Sequence, residues 1–326
     1  MREKILSLLS GQKTDTVPAF SGLIHITSAG LESEGLKLHE VHHDAGKMAR
    51  AAASTFKLTG MLSATLPLDL CAPAEALGAE LNFEGEGFPQ VRRTVFESTK
   101  EIRQLQTREL GIGRIGVICE GIRLMKDDIG EDVVISGMIP GPYTLLLYLC
   151  NPAYLFTEMK KEPQAVLDAL FHLSSFLSKI GHAYHDAGAD FITIHDMGGS
   201  AGFIGPFKYE QFVFPSEKDL IERLQKPYVL SVCGKMDKSL HLLAQTGAAP
   251  ISVDQLTDIF AAREALKDAL LFGNIDPVKT LVGGDEADVV EAVTGVKEAG
   301  VDAVWPGCDL VPSTPIRNIK KMMSTI

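Results

Sequence analysis

A chain of 326 residues with 45% hydrophobic and 22% charged side chains is folded, too long for one sandwich, and well sized for one barrel with extra N-terminal structure. Its net charge of −11, without clustered Lys and Arg, argues against a nucleic-acid face, and no apolar run is long enough to span a bilayer. Residues 1–10 carry no signal-peptide apolar core, and the five cysteines are odd in number and scattered, unlike a disulfide framework. The expectation is therefore a cytoplasmic protein in a reducing compartment.

In chain order, residues 2–10 read as a helix with Ile5, Leu8 and Leu9 on one face, followed by a first strand over 16–21 and then His25. A long helix is expected over 38–59, where Ala45, Met48, Ala51, Ala52 and Phe56 recur near the helical period. His39, His42 and His43 at its start are expected in solvent. A second strand falls at 60–69, a short helical turn at 74–79, and a loop or small hairpin at 81–95, an insertion if the core is a barrel. The stretch 112–132 holds a helix around 118–126, and 133–138 is a β-branched strand running into IPGPYT. Beyond it, helices at 143–149, 152–160 and 162–187 precede a strand at 190–194 that ends at His195 and Asp196. The alternation then continues with strands at 228–232, 250–253, 270–273 and 302–305, separated by helices at 209–224, 238–246, 259–266 and 285–299, and a last helix at 315–324.

Eight strands, each followed by helix, predict an α/β fold: a (β/α)8 TIM barrel with an N-terminal helical extension, as a single domain over 1–326. A doubly wound sheet is the alternative, but no GxGxxG follows the first strand. In a barrel the strand exits converge on one face, which carries the chemistry. The exits here present His25, Asp69, the 140–143 turn with Tyr143, His195, Asp196, Cys233, Asp254, Asn274, Asp276 and Cys308. Asp254, Asn274 and Asp276 also suit turns and helix caps. Cys233 in PYVLSVCGK and Cys308 in VWPGCDL each sit where a strand leaves the core. Two such thiols have the geometry of a zinc site or a reactive pair; small buried hydrophobes are the bland reading. His195-Asp196, ahead of a glycine-rich loop, form an acid–base candidate. His25, Asp69, Tyr143, Asp254 and Asn274 are the expected substrate-binding side chains.

DVVISGMIPGPYTL, GNIDPVKTL and WPGCDLVPSTPIRNI resemble the third-strand, seventh-strand and closing motifs of the uroporphyrinogen decarboxylase superfamily, and the similarity runs nearly the whole chain. The resemblance implies a (β/α)8 barrel. The superfamily's decarboxylases carry an arginine-rich RQAGR segment after the first strand, where this chain has FSGLIHITSAG without arginine. Its other branch, the corrinoid-dependent methyltransferases, moves a methyl group between a cobalamin on a separate corrinoid-binding protein and a small methylated or methyl-accepting substrate. In its thiol-methylating members zinc is held by a His-x-Cys pair on the fifth strand and a Cys on the eighth. Cys233 and Cys308 fall on the two cysteine positions, but Ser231 stands at the histidine position.

A serine is a poor zinc ligand. Either zinc binds through Cys233, Cys308 and a substitute such as His195 or an Asp, or another metal state is used, or the thiols line a metal-free pocket. The weakened motif favours the demethylating kind of reaction, with a methoxylated aromatic or a methylamine as donor and His195 and Asp196 handling the proton. The alternatives are a zinc-dependent methylcobamide:thiol methyltransferase, a decarboxylase of the same fold, and a non-catalytic tetrapyrrole binder. Neither nucleic acid nor membrane is an expected partner, and the resemblance implies paired barrels.

Overall fold

The computed structural model describes residues 1–85, 87–105, 111 and 113–326. Six parallel strands form one sheet in the order Ser63–Leu66, Val134–Pro140, Phe191–Asp196, Tyr228–Val232, Ile251–Val253 and Leu271–Phe272. Two further segments complete the barrel. Residues 303–306 bridge in parallel to Phe272 and Ile275, and Ala19 bridges to Val304. Val304 N donates to Pro18 O at 2.9 Å, and Phe20 N to Val304 O at 3.3 Å. The expected strands at 16–21 and 302–305 are thus bridge-length segments rather than full strands.

The last seam, between the segment around Ala19 and Ser63–Leu66, is stitched by side chains. Ser21 N donates to Ser63 Oγ at 2.9 Å, and His25 Nε2 lies 2.9 Å from Ser63 O. The strands are buried on both faces, as a parallel sheet wrapped in helices requires.

Alternation along each strand sorts side chains into an inner and an outer set. On Phe191–Asp196, Phe191 joins Phe20, Val134, Val229, Phe272 and Trp305 in the barrel interior, while Ile192 and Ile194 pack with the surrounding helices. The helix Arg2–Leu9 closes the N-terminal end of this interior with Ile5, Leu8 and Leu9. Arg2 fixes it there through Val133 O and Asp190 Oδ1, each at 2.9 Å. The floor is therefore filled with apolar groups, and the polar side chains of the inner set collect at the opposite, C-terminal mouth.

Several elements depart from the sequence reading. The helix expected over 38–59 begins only at Ala45, because Asp44 accepts Lys47 N at 2.8 Å as its N-cap. Residues 38–40 form a separate 3₁₀ turn. The strand expected over 190–194 extends to Asp196, so both candidate acid–base residues belong to the strand itself. The helix expected at 209–224 opens with a π turn, Tyr209–Val213, before Phe214–Arg223. The expected hairpin is present as Glu80–Asn82 paired with Gln90–Arg93. The helix foreseen within 112–132 is Arg114–Ile129; residue 112 lies outside the described residues. Among the described residues no helix is long and apolar enough to cross a membrane.

Candidate active site

The inner set on the fourth barrel strand is Phe191, Thr193 and His195, from floor to mouth; on the fifth it is Val229, Ser231 and Cys233. Thr193 bonds Ser136 across the interior at 2.8 Å, a layer below His195. Cys233 N continues the ladder by donating to Asp196 O at 2.9 Å, after which Gly234 (φ +114°) turns the chain out. That φ favours glycine, and a Cβ there would also strike the Ser200 side chain. Cys308 arrives from the eighth segment, where Gly307 N donates to Ile275 O at 2.8 Å.

Cys233 and Cys308 meet across the mouth as a disulfide-bonded pair, with Cα atoms 6.1 Å apart and a sequence separation of 75. No disulfide was expected from the scattered cysteines; the barrel, not the sequence spacing, brings these two together. His195 joins them: one ligand atom from each of His195, Cys233 and Cys308 lies within 4.8 Å of the others. The His195 side chain is fully buried, and among the described residues neither ring nitrogen has a hydrogen-bond partner. Asp309 Oδ2 is 3.4 Å from His195 Nε2, and its other oxygen accepts Ile24 N at 2.8 Å. A buried imidazole without a partner is costly unless something else satisfies it, and a soft cation between two sulfurs and a nitrogen does so. Once the disulfide is reduced to two thiolates, the donor set fits zinc.

The remaining cysteines are different in kind. Burial pushes the thiols of Cys71 and Cys150 up to about 12, which leaves them protonated and inert. Cys119 shifts in the same direction for the same reason.

Asp196, one residue on from His195, belongs to the outer set and meets different neighbours. Its Oδ1 accepts Thr144 Oγ1 at 2.6 Å and Gly199 N at 2.8 Å. Burial pushes its carboxyl up, against the pull of those bonds. Behind it lies the fully buried Glu217, which accepts Tyr209 Oη at 2.7 Å. Burial and the charge of Asp196 raise the Glu217 carboxyl well above its ordinary value. The structure thus separates His195 and Asp196: one faces the thiols, the other braces the 197–200 loop and the helix Pro142–Leu149.

The five expected substrate-binding residues are also dispersed. Asp254 faces the thiols, with Oδ2 3.0 Å from Cys233 Sγ and Oδ1 accepting Leu256 N at 2.7 Å. Burial raises its carboxyl. Asn274 spends its amide on Asp254 O and Thr257 O, both at 3.0 Å, and so holds Asp254's backbone. His25 is buried with Nδ1 2.7 Å from Leu23 O and Nε2 on Ser63 O, a stitch of the barrel seam. Burial lowers its pKa, against the two carbonyls and Asp309, which favour the imidazolium. Tyr143 is turned into the core, its hydroxyl 3.6 Å from Met159 Sδ. Asp69 is held by Arg114 through both carboxylate oxygens and lies 3.4 Å from His42 Nδ1. Burial alone would raise the Asp69 carboxyl, but Arg114 and His42 together hold it well below the usual carboxylate range.

Three neighbours of the site escaped the sequence reading. His42, expected in solvent, is buried against Phe83 from the hairpin, while His39 and His43 are exposed as expected. Arg114 reaches Asp69 from 45 residues away, a distance no local pattern reveals. Tyr148 lies four residues after Thr144 on the same helix face. Its phenol is pushed up by burial, and further by the Asp69, Asp309 and Asp196 carboxylates around it. Asp309 did carry a signal, as the residue directly after Cys308.

A cavity of about 330 Å³ opens beside Cys233, lined by Met197, Ser200, Phe203, Lys235, Asp254 and Leu256. Among the described residues Lys235 makes no ion pair, while Phe203 is 64% and Leu256 62% exposed.

The sequence matches the uroporphyrinogen decarboxylase (URO-D) family over residues 1–326. It is 32% identical to the methylcobamide:CoM methyltransferase MtbA of Methanosarcina acetivorans over 99% of this chain and 96% of that protein. It is 27% identical to the corresponding MtaA of Methanosarcina barkeri, again over 99% and 96%. A methyltransferase from Methanosarcina mazei superposes with a TM-score of 0.94 at 26% identity, covering 99% of this chain and 97% of that one. Fold and relatives thus define a (β/α)8-barrel enzyme, a methyltransferase. The chain belongs to the uroporphyrinogen decarboxylase family.

Proposed function

We propose that this enzyme transfers a methyl group from a methylated corrinoid, carried on a separate protein, to a small thiol activated at a zinc site that includes Cys233 and Cys308. The observation that carries this reading is the meeting of those two sulfurs, from the fifth and eighth barrel segments, in one mouth with a buried imidazole. The relatives point the same way, being named methylcobamide:CoM methyltransferases over nearly their whole length. Demethylation of aryl ethers or amines, favoured in the sequence reading, rested on Ser231 weakening the zinc motif. His195 beside the two sulfurs supports a complete donor set without an imidazole at 231, and so favours the thiol-methylating alternative.

When bound, zinc lowers the pKa of an acceptor thiol and so supplies a thiolate at neutral pH. The protein's own groups do the rest. Cys233 and Cys308 act as thiolates, and Asp254, its carboxyl raised by burial and 3.0 Å from Cys233 Sγ, is placed to accept a proton there. The acceptor occupies the cavity beside Cys233, where Lys235 offers a cation to an anionic tail. Its sulfur attacks the methyl carbon in line, a carbon–sulfur bond forms, and the carbon–cobalt bond breaks with its electron pair left on cobalt. Met197, Phe203 and Leu256 form the apolar rim on which the corrinoid protein docks. Pairing of two barrels is carried over from the family, and sedimentation measures it.

The test is methylcobalamin consumption by reduced, zinc-supplied protein, followed in the visible spectrum. Consumption that depends on added 2-mercaptoethanesulfonate and is lost in both C233S and C308S supports the reading. Consumption indifferent to the thiol, or unchanged in those variants, overturns it.

A further inference from the structure

We infer that the imidazole ligand has moved one strand sideways in this chain: His195, oriented by Asp309, is the third protein ligand of the metal in place of Ser231. This inference rests on the zinc reading above and deepens it. In the parallel pairing of the fourth and fifth strands, His195 is the register partner of Ser231. Register partners on neighbouring strands point to the same face, roughly 4.8 Å apart. An imidazole at 195 therefore starts one strand spacing from where one at 231 would start, and it faces the same mouth.

Three further features fit the move. Ser231 and its own partner Ser252 are both small, so the row beside His195 leaves room for the ring. A histidine at 231 as well would fill that room. The ring is fully buried with both nitrogens lacking hydrogen bonds, yet it lies within 4.8 Å of the two sulfurs. Asp309 completes the arrangement: Ile24 N holds one carboxylate oxygen, and the other lies 3.4 Å from Nε2. Metal-bound histidines regularly donate their second nitrogen to such a carboxylate, which fixes the ring's orientation. On this reading Nδ1 faces the metal, and Asp309 is a positioning residue.

The alternative is that His195 and Asp309 are only a buried polar pair. Metal binding by reduced protein decides between them, with zinc affinity measured against a chromophoric chelator and the zinc shell read by X-ray absorption. Wild type is expected to bind one zinc per chain with two sulfurs and one imidazole in its shell. Affinity should fall roughly a hundredfold or more in H195A and about tenfold in D309N. The exchange variant H195S/S231H should recover affinity to within several-fold of wild type, because it only moves the imidazole back across one strand. Zinc bound through two sulfurs without an imidazole overturns the inference, and so does unchanged affinity in H195A. Either result leaves the zinc reading standing if C233S abolishes binding. Absence of zinc from reduced wild-type protein overturns both. The absorption measurement uses wild type, so it decides the matter even if H195A fails to fold.

Discussion

Whether a cysteine in this chain is chemistry or packing is decided by where its strand or helix ends. Cys71 and Cys150 are enclosed, and their thiols are pushed up to about 12. Cys233 and Cys308 leave the core at the mouth and touch each other. A joined pair cannot act as two thiolates, so oxidation and metal binding exclude one another. Protein oxidised to the Cys233–Cys308 disulfide should bind no zinc, and reduction should restore one equivalent, as elemental analysis before and after reductant will show. Glu217 yields a second prediction at this scale. Its folded pKa is raised, so the native state keeps a proton that the unfolded chain gives up above about pH 4.3. That contribution is complete below the unfolded pKa and is lost as pH rises through the folded one. The E217Q variant keeps an acceptor for Tyr209 without needing the proton. Denaturant unfolding should therefore show wild type losing stability relative to E217Q over the pH range above that free-chain value of about 4.3. A constant difference across that range would contradict the assignment. The motifs made Cys233, Cys308 and Asp254 legible as mouth residues. His42 was not, because LHEVHHD is locally polar and only Phe83 and Asp69, distant in sequence, bury it.

At the scale of elements, short apolar runs between Pro, Gly and Asp marked the strands well, and 228–232 was placed to the residue. The first and last segments shrink to bridges, and the seam of the first with Ser63–Leu66 is carried by Ser21, Ser63 and His25 side chains rather than by a ladder. Nothing local announces such a seam. Register was equally hidden. That His195 sits opposite Ser231 follows only from strand pairing, so the sequence could name His195 as a substitute ligand without choosing it over an Asp. The helix Arg2–Leu9 was legible from its apolar stripe, but its role as the barrel's floor was not. Leu8 is buried in that floor, and an L8A substitution should cost about 2–5 kcal/mol in denaturant unfolding, by lost burial and the cavity left behind. A cost below about 0.5 kcal/mol, the usual range of a surface change, would mean the helix is peripheral.

For the whole molecule, the fold class was the most legible property, since eight alternations of strand and helix leave few closed topologies. The surface proposed to receive a protein-bound corrinoid was not legible, because Met197 and Phe203 follow one strand and Leu256 another, and only the barrel gathers them. Phe203, standing out from that rim, tests the docking surface. An F203E substitution should raise KM for methylcobamide bound to its carrier protein about tenfold or more, about 1.4 kcal/mol for a hot-spot aromatic, while leaving free methylcobalamin turnover nearly unchanged. Equal effects on both donors would place Phe203 in the reaction rather than in docking. The central claim is that the methyl group ends on a thiol. Mass spectrometry of the products after reduced, zinc-supplied protein has turned over methylcobalamin with 2-mercaptoethanesulfonate tests it most directly. The account predicts one methylated thiol for each methylcobalamin consumed. Consumption without methylated thiol, or none until a methoxyaromatic or methylamine is supplied with reduced cobalamin, would contradict it.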